Sequence, residues 1–172
     1  MYTEQHSEHW PSPNGIAFSR EPKGSASSSA LAYGSRLKDG GRRAVFLDKD
    51  GTLVEDVPYN VDPQRMRLAP GALEGLSALH ESGYSLIVVS NQSGVARGLF
   101  PERALGKVKR SLRRQLAAFI VPLAGFYYCP HHPQGSVDGY TIACRCRKPA
   151  PGMLCCAADD LGIDLGEKLS RH

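Results

Sequence analysis

An α/β fold, a parallel sheet with helices on both faces, is what this sequence predicts, and three observations predict it. Short runs of strand formers, Ala44–Leu47 and Leu86–Val89, are apolar throughout, as in parallel strands covered on both sides. Each breaks off abruptly into polar residues: Asp48-Lys49-Asp50-Gly51-Thr52 after the first, Ser90-Asn91-Gln92-Ser93-Gly94 after the second. Segments with helical spacing separate the strands. In open sheets of this kind, ligands gather at the carboxyl ends of the strands.

The first strand end carries the chemistry. Two carboxylates one residue apart at the end of a buried strand are costly to hold without a metal or another partner. Gly51 lets the chain turn where a side chain would block it. One aspartate here can attack phosphorus, and the other can protonate a leaving oxygen and later activate water. Taken alone, the stretch reads equally well as a strand ending in an Asp-Gly turn. From Val54 to Leu68, with Pro58 and Pro63, a loop is expected over the strand ends. Its Asp56-Val57-Pro58-Tyr59 lies close enough in sequence to touch a ligand.

Pro70-Gly71 opens a helix with Leu73, Leu76 and Leu79 on one face, and Gly83 stops it. After the second strand, a hydroxyl and an amide at Ser90-Asn91 can hold phosphoryl oxygens as preorganised donors. A second helix is expected over Pro101–Phe119, with Leu105, Val108, Leu112 and Leu116 as its apolar stripe. Its lysines and arginines read as a solvated face. Gly125–Tyr128 is the third strand. A helix begun by Pro151-Gly152, carrying Met153, Leu154, Ala157 and Leu161, ends at Gly162. Cys155 and Cys156 on it are expected to be small buried hydrophobes.

Between the third strand and that helix lie Cys129, His131 and His132, then Cys144 and Cys146. Three thiols and an imidazole in two tight pairs suit tetrahedral zinc, with His131 or His132 as the nitrogen ligand. Four protein ligands leave no open position, so such a site staples a loop and does no chemistry. Arg147-Lys148 follows directly. A lysine fixed beside the staple can neutralise a phosphate.

Composition narrows the field. Apolar content of 41% and charged content of 22% are ordinary for a globular chain of 172 residues. The net charge of +4 is too mild for a nucleic-acid binder without a concentrated patch, and none is expected. No run reaches the roughly 18 apolar residues of a membrane span. The N-terminus lacks the apolar stretch of a secretory signal. Five cysteines, four of them in close pairs, argue for reduced thiols or a metal in the cytoplasm. Residues 1–43 read as a disordered extension, since Ser, Gly and Pro fill 16 of those 43 positions. One domain is expected over 44–172.

Taken together, DKDGTL, SNQSGVARG, YYCPHHPQGSV and CRCRKPAPGM resemble the haloacid-dehalogenase (HAD) superfamily of phosphohydrolases. Within it they are most similar to the bacterial D,D-heptose 1,7-bisphosphate phosphatases. The resemblance covers most of Arg43 to Leu165. It implies a Rossmann-like fold without a large cap domain. It implies Mg²⁺ at Asp48 and Asp50, with Asp48 as nucleophile and Asp50 as general acid and base. Ser90, Arg147 and Lys148 would stabilise the transferring phosphoryl group. Asp56, Val57, Pro58, Tyr59, Ser90, Asn91, Gln92 and Ser93 would touch substrate, and Zn²⁺ would sit on Cys129, His131, Cys144 and Cys146. The implied reaction removes the C7 phosphate of a small-molecule heptose 1,7-bisphosphate on the way to a nucleotide-activated heptose for surface glycans, in a cytoplasmic monomer. Two alternatives stand beside it: a histidinol-phosphate phosphatase, and an inactive truncated zinc-binding remnant. The latter is motivated by the family's fourth motif, a strand-end aspartate. The stretch after Leu165 is too short and polar to supply it, so weak Mg²⁺ binding and an exposed apolar edge at Ala44–Leu47 are expected.

Overall fold

A computed structural model describes residues 43–165. The expected extension over 1–43, Arg43 apart, and the stretch after Leu165 lie outside the described residues. Three parallel strands, β1 (Ala44–Leu47), β2 (Ser85–Asn91) and β3 (Leu123–Cys129), stand in the order β1-β2-β3. Three helices connect or follow them: α1 (Ala72–Glu81), α2 (Ala104–Ala117) and α3 (Gly152–Leu161). A short 3₁₀ turn, Pro63–Arg65, capped by the Asp62 side chain, interrupts the loop after β1.

Helices cover both faces, as the alternation of strand and helix predicts. On one face Leu86, Val88, Phe126 and Tyr128 pack with Leu76 of α1 and with Leu105, Val108, Leu112 and Leu116 of α2. On the other, Ile87, Val89, Tyr127 and Cys129 pack with Met153 and Ala157 of α3. Successive residues of β2 thus feed opposite cores, which is why its whole run is apolar. Each fully buried Leu or Val contributes about 1.5–3 kcal/mol over exposure.

Several details differ from the expectations. β2 and β3 extend past their apolar cores to Asn91 and Cys129, because the ladder pairs Ser90 with Tyr128 and Asn91 with Cys129. The polar strand end is therefore part of the sheet. α2 starts at Ala104, because the amides of Ala104, Leu105 and Gly106 bond three residues back and make a tighter turn of Pro101–Arg103. β1, in line with the apolar edge expected at Ala44–Leu47, is half-buried, and among the described residues it has a neighbour on one side only. Cys155 is exposed and Cys156 partly so, which corrects their reading as buried hydrophobes. The stripe that faces the core from α3 runs through Met153, Ala157 and Ala158 instead.

α3 is locked to the loop before it. The Gly152 amide donates to the Arg145 carbonyl at 2.9 Å. A Cβ at Gly152 would lie 2.8 Å from the Arg145 carbonyl carbon and 3.1 Å from the Cys146 Cα. Backbone cannot give way as a flexible side chain does, so Gly152→Ala is expected to cost about 1–3 kcal/mol, read as a lower Tm. An unchanged Tm would mean that α3 slides off this loop freely.

Candidate active site and metal centre

The register brings the polar ends together. Leu47 pairs with Val88 and Asn91 with Cys129, so Asp48, Ser90-Asn91 and Cys129 follow one another along the carboxyl edge of the sheet. Gly51, at a φ of 74°, turns the chain back, and the amides of Leu53 and Val54 both reach the Lys49 carbonyl at 3.0 Å. Asp48 is thereby left exposed at the strand end.

Asp48 Oδ1 accepts from the Lys49 amide at 2.8 Å and meets Lys148 Nζ at 2.8 Å. Lys148 arrives from 100 residues further along the chain, and its placement is over-determined. Its Nζ also donates to the Val89 carbonyl at 3.0 Å. Its amide donates to Asn91 Oδ1 at 3.0 Å, and Asn91 Nδ2 donates back to the Lys148 carbonyl at 3.2 Å. Asn91 thus clamps the Lys148 backbone on both sides.

Asp50 is held differently. Lys49 Nζ pairs with its Oδ1, and Gln92 Nε2 donates to its Oδ2 at 3.0 Å and to Ser90 Oγ at 2.7 Å. Lys49 and Gln92 are only 2% and 6% exposed. A lysine this deep is tolerated because it is paired. Both act as positioning residues for Asp50. Lys49 escaped the sequence reading, since nothing in its spacing says that a side chain between two aspartates turns inward. Gln92, expected against substrate, is buried with its amide on Asp50 and Ser90.

Asp56 approaches the turn, where a Cβ at Gly51 would lie 3.8 Å from Asp56 Cβ. Val57 is partly buried, Pro58 exposed, and Tyr59, at a φ of 54°, is 50% exposed. Ser93 is partly buried, and its carbonyl accepts from the Arg97 amide at 3.0 Å. Arg147 is partly buried, with Nη1 buried and lacking an acceptor.

Beside this edge, ligand atoms of Cys129, His131, Cys144 and Cys146 lie within 4.8 Å of one another. The sulfur of Cys146 is 3.1 Å from that of Cys129 and 3.3 Å from that of Cys144; His131 turns Nδ1 to Cys146 at 3.3 Å. Three sulfurs and one nitrogen converging from all sides fit tetrahedral zinc. Hydrogen bonding, from Cys146 above all, holds the Cys129 thiol down at about 4, while the Cys146 thiol is pushed up by the same contact. His132 stays outside the group. Its Nδ1 accepts from the Gln134 amide at 3.1 Å, and the Gln134 and Arg97 contacts use both ring nitrogens. Of the two histidines, His131 is the one that faces the thiols.

The loop carrying this centre is anchored to the 92–100 segment. The amides of Ser136 and Val137 donate to the Ala96 carbonyl at 2.7 and 3.0 Å. Glu102 accepts from the hydroxyls of Tyr128 at 2.8 Å and Tyr140 at 2.6 Å, and the Tyr140 ring lies 6.1 Å from that of His131. Burial, with Glu102 as the second cause, pushes the Tyr140 hydroxyl up to about 12, so it stays a donor. This support also escaped the sequence reading, because its members come from three separate segments.

Residues 43–168 match the family model described as polynucleotide kinase 3 phosphatase. The chain belongs to that family. It is 44% identical over 122 residues to the D-glycero-beta-D-manno-heptose-1,7-bisphosphate 7-phosphatases of Salmonella typhi and Escherichia coli K12, a match that covers 71% of this chain. It spans 65% and 64% of the length of those relatives. Among solved structures, a HAD-like phosphatase from Mesorhizobium loti superposes with a TM-score of 0.72 at 30% identity, over 91% of this chain and 69% of the other. The D,D-heptose 1,7-bisphosphate phosphatase of B. bronchiseptica, complexed with magnesium and phosphate, superposes with a TM-score of 0.61 at 33% identity, over 72% and 65%. The three-stranded parallel sheet with helices on both faces is thus the HAD-like phosphatase architecture. No helix among the described residues is long and apolar enough to cross a membrane.

Proposed function

We propose that this chain is a phosphomonoesterase that removes the C7 phosphate of D-glycero-D-manno-heptose 1,7-bisphosphate, leaving the 1-phosphate. The observation that carries the reading is Lys148 Nζ on Asp48 Oδ1 at the strand end, in a chain 44% identical to enzymes of that name. Asp48 presents an exposed carboxylate as the nucleophile. Lys148 orients it and offsets charge on the phosphoryl oxygens as phosphorus is transferred. Asp50, fixed by Lys49 and Gln92, takes up a proton from solvent as the phosphate dianion docks beside it, and gives that proton to the leaving C7 oxygen. It then takes one from the water that cleaves the aspartyl-phosphate on Asp48. Asn91 holds the Lys148 backbone in register, and Ser90, bonded to Gln92, would meet the phosphoryl oxygens; Asp56 to Tyr59 and Ser93 border the substrate, and Arg147 binds it.

Asp48 and Asp50 fit Mg²⁺, which takes hard oxygen donors and would neutralise phosphoryl charge. Two carboxylates and two ammoniums already balance at this strand end, so the dication is best accommodated together with a phosphate dianion. Zn²⁺ would sit on Cys129, His131, Cys144 and Cys146 and staple the loop that delivers Lys148. A cytoplasmic monomer suits the reduced cysteines.

Phosphate release with Mg²⁺ from the heptose 1,7-bisphosphate and from histidinol phosphate tests the reading. Preferential turnover of the bisphosphate to heptose 1-phosphate is expected. A preference for histidinol phosphate, or no release from either, would overturn it.

A further inference from the structure

The outer face of α2 and the residue before it carry four cations in one stripe. Arg103, Lys107, Arg110 and Arg114 are all exposed. At about 3.6 residues per turn they fall within about 60° of one another, opposite the buried leucines and valine of the helix. α2 contains no Asp or Glu. Glu102, the acid that precedes it, has both oxygens on the hydroxyls of Tyr128 and Tyr140. Among the described residues no carboxylate pairs with any of the four cations. The face expected to be merely solvated is a concentrated positive strip.

The same helix ends on exposed apolar residues. Phe119 is 56% and Ile120 83% exposed. Ile120 stands at a φ of 61°, in the turn that the Val121 amide closes on the Leu116 carbonyl at 3.1 Å. Glycine or asparagine is the usual occupant of such a position, because left-handed backbone strains a β-branched side chain. Here the strained position holds an isoleucine and presents it to water, while Val121 beside it is buried.

We propose that this face docks the protein peripherally on an anionic lipid bilayer. The four cations meet headgroup phosphates, and Phe119 and Ile120 enter the boundary between headgroups and acyl chains. Charge complementarity calls for an anionic partner, and the apolar end chooses among anions. The phosphate backbone of a nucleic acid offers an isoleucine nothing, whereas a bilayer takes cations and apolar side chains at adjacent depths. α2 runs back from the carboxyl edge, after β2, to the start of β3. Docking along its flank therefore leaves the catalytic edge open to a small-molecule substrate.

The test is flotation of the full 172-residue chain with vesicles of three parts phosphatidylcholine to one part phosphatidylglycerol, against vesicles of phosphatidylcholine alone. Binding to the anionic vesicles, weakened by salt, is expected. Replacing Lys107, Arg110 and Arg114 together by Gln should weaken it about 100-fold, since each cation near such a surface contributes about five-fold. Ile120→Gly should weaken it about five-fold or more by removing apolar contact. Glycine relaxes the left-handed backbone, so that loss is not one of folding. Equal binding to both kinds of vesicle, or undiminished binding by either variant, would overturn the proposal. So would tighter binding to an oligonucleotide duplex at the same salt, or self-association that the triple variant abolishes; these would give the stripe to a nucleic acid or to a second copy of the chain.

Discussion

Asp48→Asn is expected to lower phosphomonoester turnover by about 10³-fold or more while leaving the fold intact. Asparagine has the same shape. Its Oδ1 still accepts from the Lys49 amide and from Lys148 Nζ, the two contacts that Asp48 Oδ1 makes. What disappears is the attacking charge, together with one hard ligand for Mg²⁺. Lys148→Met is the companion experiment. It leaves the nucleophile but removes the group that orients it and meets the phosphoryl oxygens, and a loss of about 10²–10³-fold is expected. Unchanged thermal melting in both variants separates a chemical loss from a structural one. More than a tenth of the wild-type rate in Asp48→Asn would assign the attack to another residue.

The strands were legible because β1, β2 and β3 are the chain's dense apolar runs, and a strand covered on both sides must be apolar throughout. The bounds of α3 were legible for a different reason: Pro151-Gly152 and Gly162 punctuate it, and Gly162 does take the left-handed conformation, at a φ of 66°. Composition said less about what the strand ends do with their side chains. The Lys49–Asp50–Gln92–Ser90 network depends on a turn that buries Lys49, and the direction of a side chain within a turn has no period to reveal it. Glu102, Tyr128 and Tyr140 meet only because β3, the turn before α2 and the 130–146 loop converge. Likewise, His131 and His132 are equivalent by spacing. The orientation of the loop decides between them, since only one can face the thiols while its neighbour turns toward Arg97.

Removal of zinc is expected to cost more stability than any single core substitution. The site contributes on the order of 10 kcal/mol in free-standing structural examples, because the ligands are not gathered in the unfolded chain. Here the four ligands bracket the 130–146 loop, and three of them are buried or nearly so, His131 at 3% exposure. About one zinc per chain is expected by metal analysis of protein purified without added zinc. A strong chelator should lower the Tm, open the 130–146 loop to protease and reduce turnover, since Lys148 follows Cys146 by two residues and loses its anchor. Cys146→Ser should do the same. The sign of the pH effect follows from the ligands: zinc needs the thiols deprotonated, so protons compete with it, and its affinity falls as the pH falls. Chelation at mildly acid pH should therefore be more complete than at neutral pH. A zinc content near zero with four reactive side chains at these positions, or a chelated protein with an unchanged Tm and an intact loop, would mean that hydrogen bonding among the thiols and His131 suffices to close the loop.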